Sequence, residues 1–280
     1  MTTSTRTLRY VAVLAIGALT AFGAPGVAAA QSADAPVAVT VSADAMAGLP
    51  DAPAPGWYTF EVTNATAGGI DFNVGRINKG YDEQDLETLD DASPKKVNKI
   101  LTFIAGTTVE AGATSSITFK LPKGSVVFNS FVEENESELI ETLAVKGATT
   151  DAEPPDADVV TEGFDFGYDI PETVPADAEW EFANTGKQWH VLATCKLVEG
   201  KTFDDALDYA KTIDPETGVG EGEDPCPEVP GGFGAISGKV TVYGPQTFEA
   251  GDYVAFCYLP DTKTGKPHYL LGMTAAFTVE

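Results

Sequence analysis

Two histidines, one cysteine and one methionine constrain this chain more than any other feature of its sequence. His190 lies upstream, whereas Cys257, His268 and Met273 fall within 17 residues near the C-terminal end. The chain has no other histidine, so one metal ion could use every imidazole that it contains. A thiolate with two imidazoles and a weak thioether is the donor set of an electron-transfer copper site. A fold that binds one ion this way must bring distant strands to one point.

The residues around these donors resemble the blue-copper family, the cupredoxins, and within it the plastocyanin-like branch. The family places Asn before its first His, an aromatic-rich strand before Cys, Pro before the second His, and Gly-Met soon after it. The matching positions here are Asn184, His190, Cys257, Pro267, His268, Gly272 and Met273. The resemblance covers roughly residues 165–280. It implies one type 1 copper ion held by the two histidines, the cysteine and the methionine.

The chain differs from the family pattern in one loop length and at one residue. Ten residues separate Cys257 from His268, where the family has a shorter loop, and Val191 stands where plastocyanins commonly have Asn. The resemblance also implies that one edge of His268 reaches the surface, beside Tyr269 and Leu270, as the port for electrons.

Each donor also has an ordinary structural interpretation. A strand histidine can be satisfied by the backbone, a methionine can belong to the core, and Cys257 can be a buried thiol. Three cysteines favour one disulfide and one remaining thiol if the chain is exported, as its first 30 residues indicate below. We pair Cys195 with Cys226 and leave Cys257 for the metal. The alternative is a disulfide from Cys257 to either partner, which would abolish the site.

Residues 1–30 have the pattern of an export signal. Two arginines precede an apolar run over 11–22, and small residues favour cleavage before Gln31. No later stretch is apolar enough to span a bilayer. We therefore expect a secreted or periplasmic protein that is not inserted in the membrane after cleavage.

The chain is strongly acidic. It has 17 lysines and arginines against 42 acidic residues, a net charge of −25. Loss of the signal removes Arg6 and Arg9, which leaves 15 against 42, or −27. This charge argues against nucleic acid and anionic membranes as partners. Solvation of an exported protein is the simplest explanation.

Short runs of alternating apolar and polar residues predict strands in both halves of the chain. Helical pieces are expected over 81–104 and a helix over 202–213, followed by a long acidic loop over 214–230. Short strands are expected at 165–168 and 247–249. The predicted divisions are a signal peptide (1–30), a first domain (31–148), a charged, proline-containing linker (149–158) and a second domain (159–280).

The two halves align with a shift of 120 residues, which places Phe60 on Trp180 and Asn64 on Asn184. This favours a tandem duplication of one all-β unit. The first half has no histidine, so we interpret it as a degenerate copy without a copper site. The expected fold is all-β, with two tandem cupredoxin-like Greek-key β-sandwiches, the second carrying an inserted helix and a long loop.

The functional prediction is an exported single-electron carrier rather than an enzyme. Both histidines are assigned as ligands, which leaves no Ser-His-Asp arrangement, and there is no phosphate-binding glycine loop. The expected partner is an unidentified redox protein. Two alternatives stay open: a module that sequesters or delivers copper, and a metal-free β-sandwich for adhesion or protein binding. The absence of His-x-His pairs disfavours a multicopper oxidase.

Overall fold

The computed structural model describes residues 35–89, 92–214 and 219–280. The predicted export signal, 1–30, lies outside these residues. Strands dominate the described chain, and they stack as β-sandwiches, so the predicted all-β fold class is confirmed. Within these ranges no helix has the length and apolar character needed to cross a membrane.

The first half contains eight strands and two short helices in its described residues. In chain order these are β1 (Val37–Val41), β2 (Met46–Ala47), β3 (Gly56–Asn64), β4 (Ile70–Ile77), α1 (Glu83–Leu86), α2 (Pro94–Ile100), β5 (Leu101–Val109), β6 (Thr114–Leu121), β7 (Gly124–Val132) and β8 (Ser137–Val145).

The second half has nine strands and one α-helix in its described residues. They are β9 (Val159–Phe164), β10 (Gly167–Asp169), β11 (Thr173–Val174), β12 (Asp177–Asn184), β13 (His190–Lys196), α3 (Phe203–Ala210), β14 (Gly231–Ile236), β15 (Thr241–Thr247), β16 (Gly251–Phe256) and β17 (Thr274–Val279). A 3₁₀ turn, His268–Leu271, precedes β17. The inserted helix is where the sequence predicts it.

Each half packs two sheets face to face. In the first half β2-β1-β3-β6 faces β5-β4-β7-β8, and in the second β10-β9-β12-β15 faces β11-β17-β16-β13-β14. Strands β6 and β15 pair antiparallel, with Val242 opposite Phe119, and so join two of these sheets into one of eight strands. Backbone hydrogen bonds therefore fix one half against the other.

The core follows from the two-residue period of the strands. In β1, Val37, Val39 and Val41 are buried while the residues between them are exposed. The rings of Phe60 and Phe119 stack in the first half at 4.8 Å between centroids. Buried apolar residues of both halves form one continuous cluster, as expected for sheets that continue from one half into the other.

Asn64 and Asn184 have the same structural role at positions 120 residues apart. The Asn64 amide donates to the carbonyls of Gly68 and Val109, both at 2.9 Å. The Asn184 amide donates to the carbonyls of Gln188 and Ile236, both at 2.8 Å. This shared pattern supports the tandem duplication, which we retain as a proposal together with the domain boundaries at 148 and 159.

Several local predictions were wrong. Residues 101–104 begin β5 rather than extend a helix, β15 ends at Thr247 so that 247–249 is not a strand, and 165–166 form a turn before β10. Strand β9 and the glycine-rich strand β14 were not predicted. Glycines in β14 allow close approach between the halves: a Cβ added at Gly234 would lie 2.7 Å from the Cα of Gly106.

The predicted disulfide between Cys195 and Cys226 is confirmed, and Cys257 is free and buried. The bridge connects β13 to the loop that follows α3. The helix itself begins with a capping box in which Thr202 and Asp205 bond reciprocally. The disulfide therefore ties the loop after the inserted helix to the sandwich, and the capping box stabilises the start of the helix itself.

Candidate metal centre

His190, Cys257 and His268 converge at one end of the second sandwich. Their candidate ligand atoms all lie within 4.8 Å of one another, and all three residues are fully buried. The two Nδ1 atoms are 3.2 Å apart, and Sγ of Cys257 lies 3.4 Å from Nδ1 of His268. Two imidazoles and one thiol thus point their donor atoms at a common space.

His190 is placed by the turn that Asn184 holds closed. Asn184 ends β12, and its side chain bonds the carbonyl of Gln188 while its Oδ1 accepts from the backbone N–H of Gly186 at 2.9 Å. His190 is the first residue of β13, directly after this turn. The Asn of the family pattern therefore orients the first histidine through the backbone.

Asp165 orients the imidazole of His190, a role that sequence reasoning missed. Nε2 of His190 donates to Oδ1 of Asp165 at 2.9 Å, which leaves Nδ1 free to face the other donors. Burial acts to raise the pKa of Asp165, but hydrogen bonds from the Gln188 backbone, His190 and the Lys187 backbone outweigh it and lower that pKa. A Cβ at Gly186 would lie 2.5 Å from Oδ1 of Asp165, so this contact needs glycine.

Cys257 and Met273 are connected through the backbone. The N–H of Cys257 donates to the carbonyl of Met273 at 3.2 Å, and the N–H of Met273 donates to the carbonyl of His268 at 3.0 Å. The Met273 side chain is fully buried and packs in one apolar cluster with Cys257. A Cβ on Gly163 would come within 3.3 Å of its methyl carbon, so glycine at this position of β9 leaves room for Met273.

The ten residues between Cys257 and His268 form a hairpin that leaves the site geometry undisturbed. Pro260 and Pro267 form an antiparallel bridge at its base. Next to this base, the buried Asp261 accepts from the hydroxyl of Thr264 at 2.7 Å and from the Gln188 amide at 2.9 Å. The extra length relative to the family pattern therefore projects outward, and the ends of the loop stay close together.

Burial raises the pKa of the Cys257 thiol to about 12. Hydrogen bonds from the backbones of Val191 and Leu259 and from the Tyr168 hydroxyl act in the opposite direction. The Val191 contact comes from the backbone, so it does not require the Asn that plastocyanins have at this position. These donors favour a thiolate once a cation replaces the proton.

The expected surface port at His268 is not observed, because the side chain of His268 is fully buried. The ring of Phe166 covers it edge to face at 5.0 Å, and Leu270, 43 % exposed, forms the nearby surface. Burial, followed by the neighbouring His190, lowers the pKa of His268 to about 4. Both imidazoles are therefore neutral near pH 7, as metal ligands must be.

The first half of the chain helps to enclose the centre. Phe103 of β5 packs on Trp189, next to His190, at 4.6 Å between ring centroids. The apolar cluster that contains Cys257 and Met273 also includes Leu101 and Val127 from the first half. Apolar residues of both halves thus pack together beside the donors.

This arrangement fits a copper ion. A buried thiol, two inward-facing Nδ1 atoms and a buried methionine close to them in the chain provide soft and borderline donors with few oxygen competitors. His190, Cys257 and His268 would hold the ion. The structure brings these three together, and Met273 joins them through the backbone bonds described above.

No protein-family model matches the chain, and no curated protein matches it. Among solved structures, dithionite-reduced auracyanin from Roseiflexus castenholzii is 16 % identical, with 43 % of this chain and 94 % of that chain covered and a TM-score of 0.27. Auracyanin A from Chloroflexus aurantiacus, described as a "blue" copper protein, is 16 % identical, covering 44 % and 98 %, with a TM-score of 0.27.

A multicopper oxidase structure is 12 % identical, with 87 % of this chain and 88 % of that chain covered and a TM-score of 0.24. TM-scores and identities of this size do not carry a functional assignment.

Proposed function

We propose that this chain is an exported type 1 copper protein that carries single electrons between redox partner proteins. One ion would be held by His190, Cys257 and His268, with Met273 as a weak fourth ligand. The observation that carries the proposal is the convergence of two Nδ1 atoms and one Sγ within 4.8 Å in a fully buried space. Copper in such a set supplies a one-electron couple.

The residues around the donors suit electron transfer better than catalysis. Asp165 and the Asn184 turn hold His190, and the backbone bonds of the 257–273 loop hold Cys257 and His268. Rigid ligands limit rearrangement between oxidation states. The three donors are fully buried, so a substrate has no direct access to them, and we propose that the chain is not an enzyme.

Export is part of the same proposal. Disulfides form and persist in oxidising compartments, and Cys195 is bridged to Cys226. A free thiol such as Cys257 is protected there by burial and by ligation to a metal. The bridge and the predicted signal at 1–30 together support a secreted or periplasmic protein.

The visible absorption spectrum of the purified mature protein after addition of Cu(II) tests the proposal. We expect an intense band at the red end of the spectrum, because a thiolate bound to Cu(II) gives a charge-transfer transition. The band should disappear on reduction, return on oxidation, and be absent from Cys257→Ser. Thiol titration of the metal-free protein should find one reactive sulfur after unfolding.

Other outcomes select the alternatives. Tight binding of Cu(I) without a Cu(II) band would favour copper sequestration or delivery. No copper binding, with Cys257 reduced and the chain folded, would contradict the proposal and favour a metal-free sandwich that binds other proteins.

A further inference from the structure

The lysines of the second half, 159–280, form two groups. One group lies at the far end of β13 and around α3, and its members pair with carboxylates: Lys196 with Glu249, Lys201 with Glu223 and Lys211 with Asp208. The other group is exposed and, in the part of the chain that the structure describes, has no ion-pair partner: Lys187, Lys239, Lys263 and Lys266. We call these four residues the lysine rim.

The lysine rim lies at the end of the sandwich that holds the metal centre. Lys187 is in the turn that leads into His190. Strand β14 runs antiparallel to β13 with Ile236 opposite His190, so the next turn, which carries Lys239, lies at the same end. The remaining two lysines are in the hairpin between Cys257 and His268.

Direct contacts join these loops into one surface. A Cβ added at Gly238, beside Lys239, would lie 2.4 Å from the carbonyl oxygen of Gly186, beside Lys187. Gln188 in the first turn donates to Asp261 at 2.9 Å and accepts from the backbone of Thr262 at 2.7 Å, both in the hairpin. The turn before His190 is therefore in contact with both of the other loops.

The acidic residues on these loops do not cancel the lysines. Loops 185–189, 237–240 and 257–273, with the turn at 165–166, contain Asp165 and Asp261 as their only carboxylates. Asp261 is 4 % exposed and accepts four hydrogen bonds within the loops, and Asp165 accepts from His190. Four lysines against two aspartates give these loops a charge of +2, whereas the chain without its predicted signal carries −27.

The sign of the charge on these loops determines which partners can dock on them. The Debye length is about 8 Å at physiological ionic strength, so a partner that touches these loops responds to their lysines more than to acidic residues beyond that distance. The same end exposes Phe164 and Leu270, each 43 % accessible, which supply apolar contact area. An apolar patch beside unpaired ammonium groups complements an apolar patch beside carboxylates.

We infer that the lysine rim docks a carboxylate-rich face of the redox partner protein. The inference rests on the proposed electron-transfer function, and it specifies the partner by charge. Electrons would then pass at the end of the molecule where the metal centre lies, although the rest of the surface repels an anionic partner. Charge of this kind acts mainly on the rate of association and on its dependence on salt.

The first test uses the metal-free protein and hexacyanochromate(III), a paramagnetic and redox-stable trianion. NMR line broadening should be confined to backbone amides of 185–189, 237–240 and 261–267. The triple variant Lys187→Glu/Lys239→Glu/Lys263→Glu should lose it. The matched control Lys196→Glu/Lys201→Glu/Lys211→Glu makes the same change in net charge at the other end and should keep it. Broadening spread evenly over the surface, or equal loss in both variants, would overturn the inference.

The second test uses the copper-loaded protein. Reduced protein gives one electron to hexacyanoferrate(III), which becomes hexacyanoferrate(II), and the oxidised protein remains. We expect this rate to fall as salt is added, and to be roughly tenfold or more lower in the rim variant than in the control at low salt. A rate that rises with salt in the unmodified protein would mean that net charge controls the approach, and the inference would fail.

The two tests separate this inference from the proposed function. A protein without a Cu(II)–thiolate band would contradict the proposed function, while local broadening by hexacyanochromate(III) would still support the rim as an anionic docking surface. A blue protein whose rate of electron transfer to hexacyanoferrate(III) rises with salt would support the proposed function but overturn the docking role of the lysine rim. Cosedimentation with phosphatidylglycerol vesicles that depends on the rim would instead assign it to a membrane surface and overturn the assignment to a protein partner.

Discussion

At the scale of single residues, the centre depends on groups that never reach the metal position themselves. Asp165 selects which nitrogen of His190 faces the cluster, and the backbone of Val191 bonds the sulfur of Cys257. The close approach of Gly186 to Asp165 requires a residue without a side chain. Each contact contributes little stability by itself, but together they orient the donor atoms toward one another in the metal-free protein.

Asp165→Asn should weaken copper binding. The amide keeps the size of the side chain but removes the negative charge that fixes the His190 tautomer, and outer contacts of this kind contribute roughly 10–100-fold to metal affinity. Competition titration with a Cu(I) chelator measures the effect. Glu162→Gln, at an exposed position on β9, is the control for loss of one charge and should change affinity little. Equal affinities for Asp165→Asn and the unmodified protein would mean that the contact is incidental.

Copper affinity should fall as the pH is lowered. The thiol of Cys257 has a pKa of about 12 in the metal-free protein, so it is protonated at neutral pH and must release one proton when it binds. The pKa of His268 is about 4, so this imidazole competes for protons only near and below that pH. The dissociation constant should therefore rise about tenfold for each unit of pH lost between about 8 and 5.

Proton release during copper titration, measured by a pH indicator in weak buffer, provides a second reading of the same prediction. One proton per ion is the expected value at pH 7. Release of no proton would show that Cys257 is already a thiolate or is not a ligand.

At the scale of elements, the hairpin at 260–267 explains how a long loop serves a site that usually has a short one. Its base is closed by the bridge between Pro260 and Pro267, and its tip is ordered by Asp261. Prolines also restrict the unfolded chain, which lowers the entropy lost on folding. The hairpin can therefore project toward solvent and carry surface lysines without loosening Cys257 or His268.

Asp261→Asn should destabilise the protein by about 1–2 kcal/mol at neutral pH, because an amide cannot accept all the bonds that the carboxylate accepts. Hydrogen bonds from the Thr264 hydroxyl, the Gln188 amide and the loop backbone lower the pKa of Asp261 to about 2. A carboxyl whose pKa is lowered on folding stabilises the fold above its unfolded value, near 3.9, and loses that contribution as the pH falls through its folded value.

The difference in unfolding free energy between the unmodified protein and Asp261→Asn should therefore shrink between about pH 4 and pH 2. Urea unfolding followed at several pH values measures it. Asp177→Asn, at an exposed position that starts β12, controls for the loss of one charge. A difference that stays constant down to pH 2 would argue that the carboxylate has no special stabilisation in the folded state.

At the scale of the whole molecule, the first half is part of the wall of the centre rather than a detached spacer. Strands β6 and β15 join the sandwiches into one sheet, Gly106 lies against Gly234, and Phe103 packs on Trp189. A half that has no histidine thus still contributes to the surroundings of the two histidines in the other half. Its apolar residues Leu101 and Val127 pack in the same cluster as Cys257 and Met273.

Phe103→Ala should lower the free energy of unfolding by about 2 kcal/mol, since it removes a partly buried ring and its contact with Trp189. The fluorescence of Trp189 should shift to the red as water reaches the indole. Phe131→Ala, which removes a ring of the same size at a partly buried position of β7, should leave that emission unchanged. Equal spectra for the two variants would contradict the proposed contact between the halves.

Local sequence patterns predicted much of this protein because they act over short distances. Strand alternation has a period of two residues, which placed β1, β3 and β13 close to their observed positions. The helix α3 was predicted from its own periodicity, and the donors His190, Cys257 and His268 were identified by residue type and order. Those signals failed where glycine removes the alternation, as in β14, and where a helix passes directly into a strand, as at Leu101.

What the tertiary structure alone decided concerns contacts between residues distant in the chain. The bond from His190 to Asp165, the cover of Phe166 over His268 and the packing of Phe103 on Trp189 have no local signal, because each joins separate strands or loops. The sequence by itself determined which atoms could bind a metal and that the chain forms strands. Their orientation, their burial and the enclosure of the site by the other half were decided by long-range packing and hydrogen bonding, which no short stretch of sequence encodes.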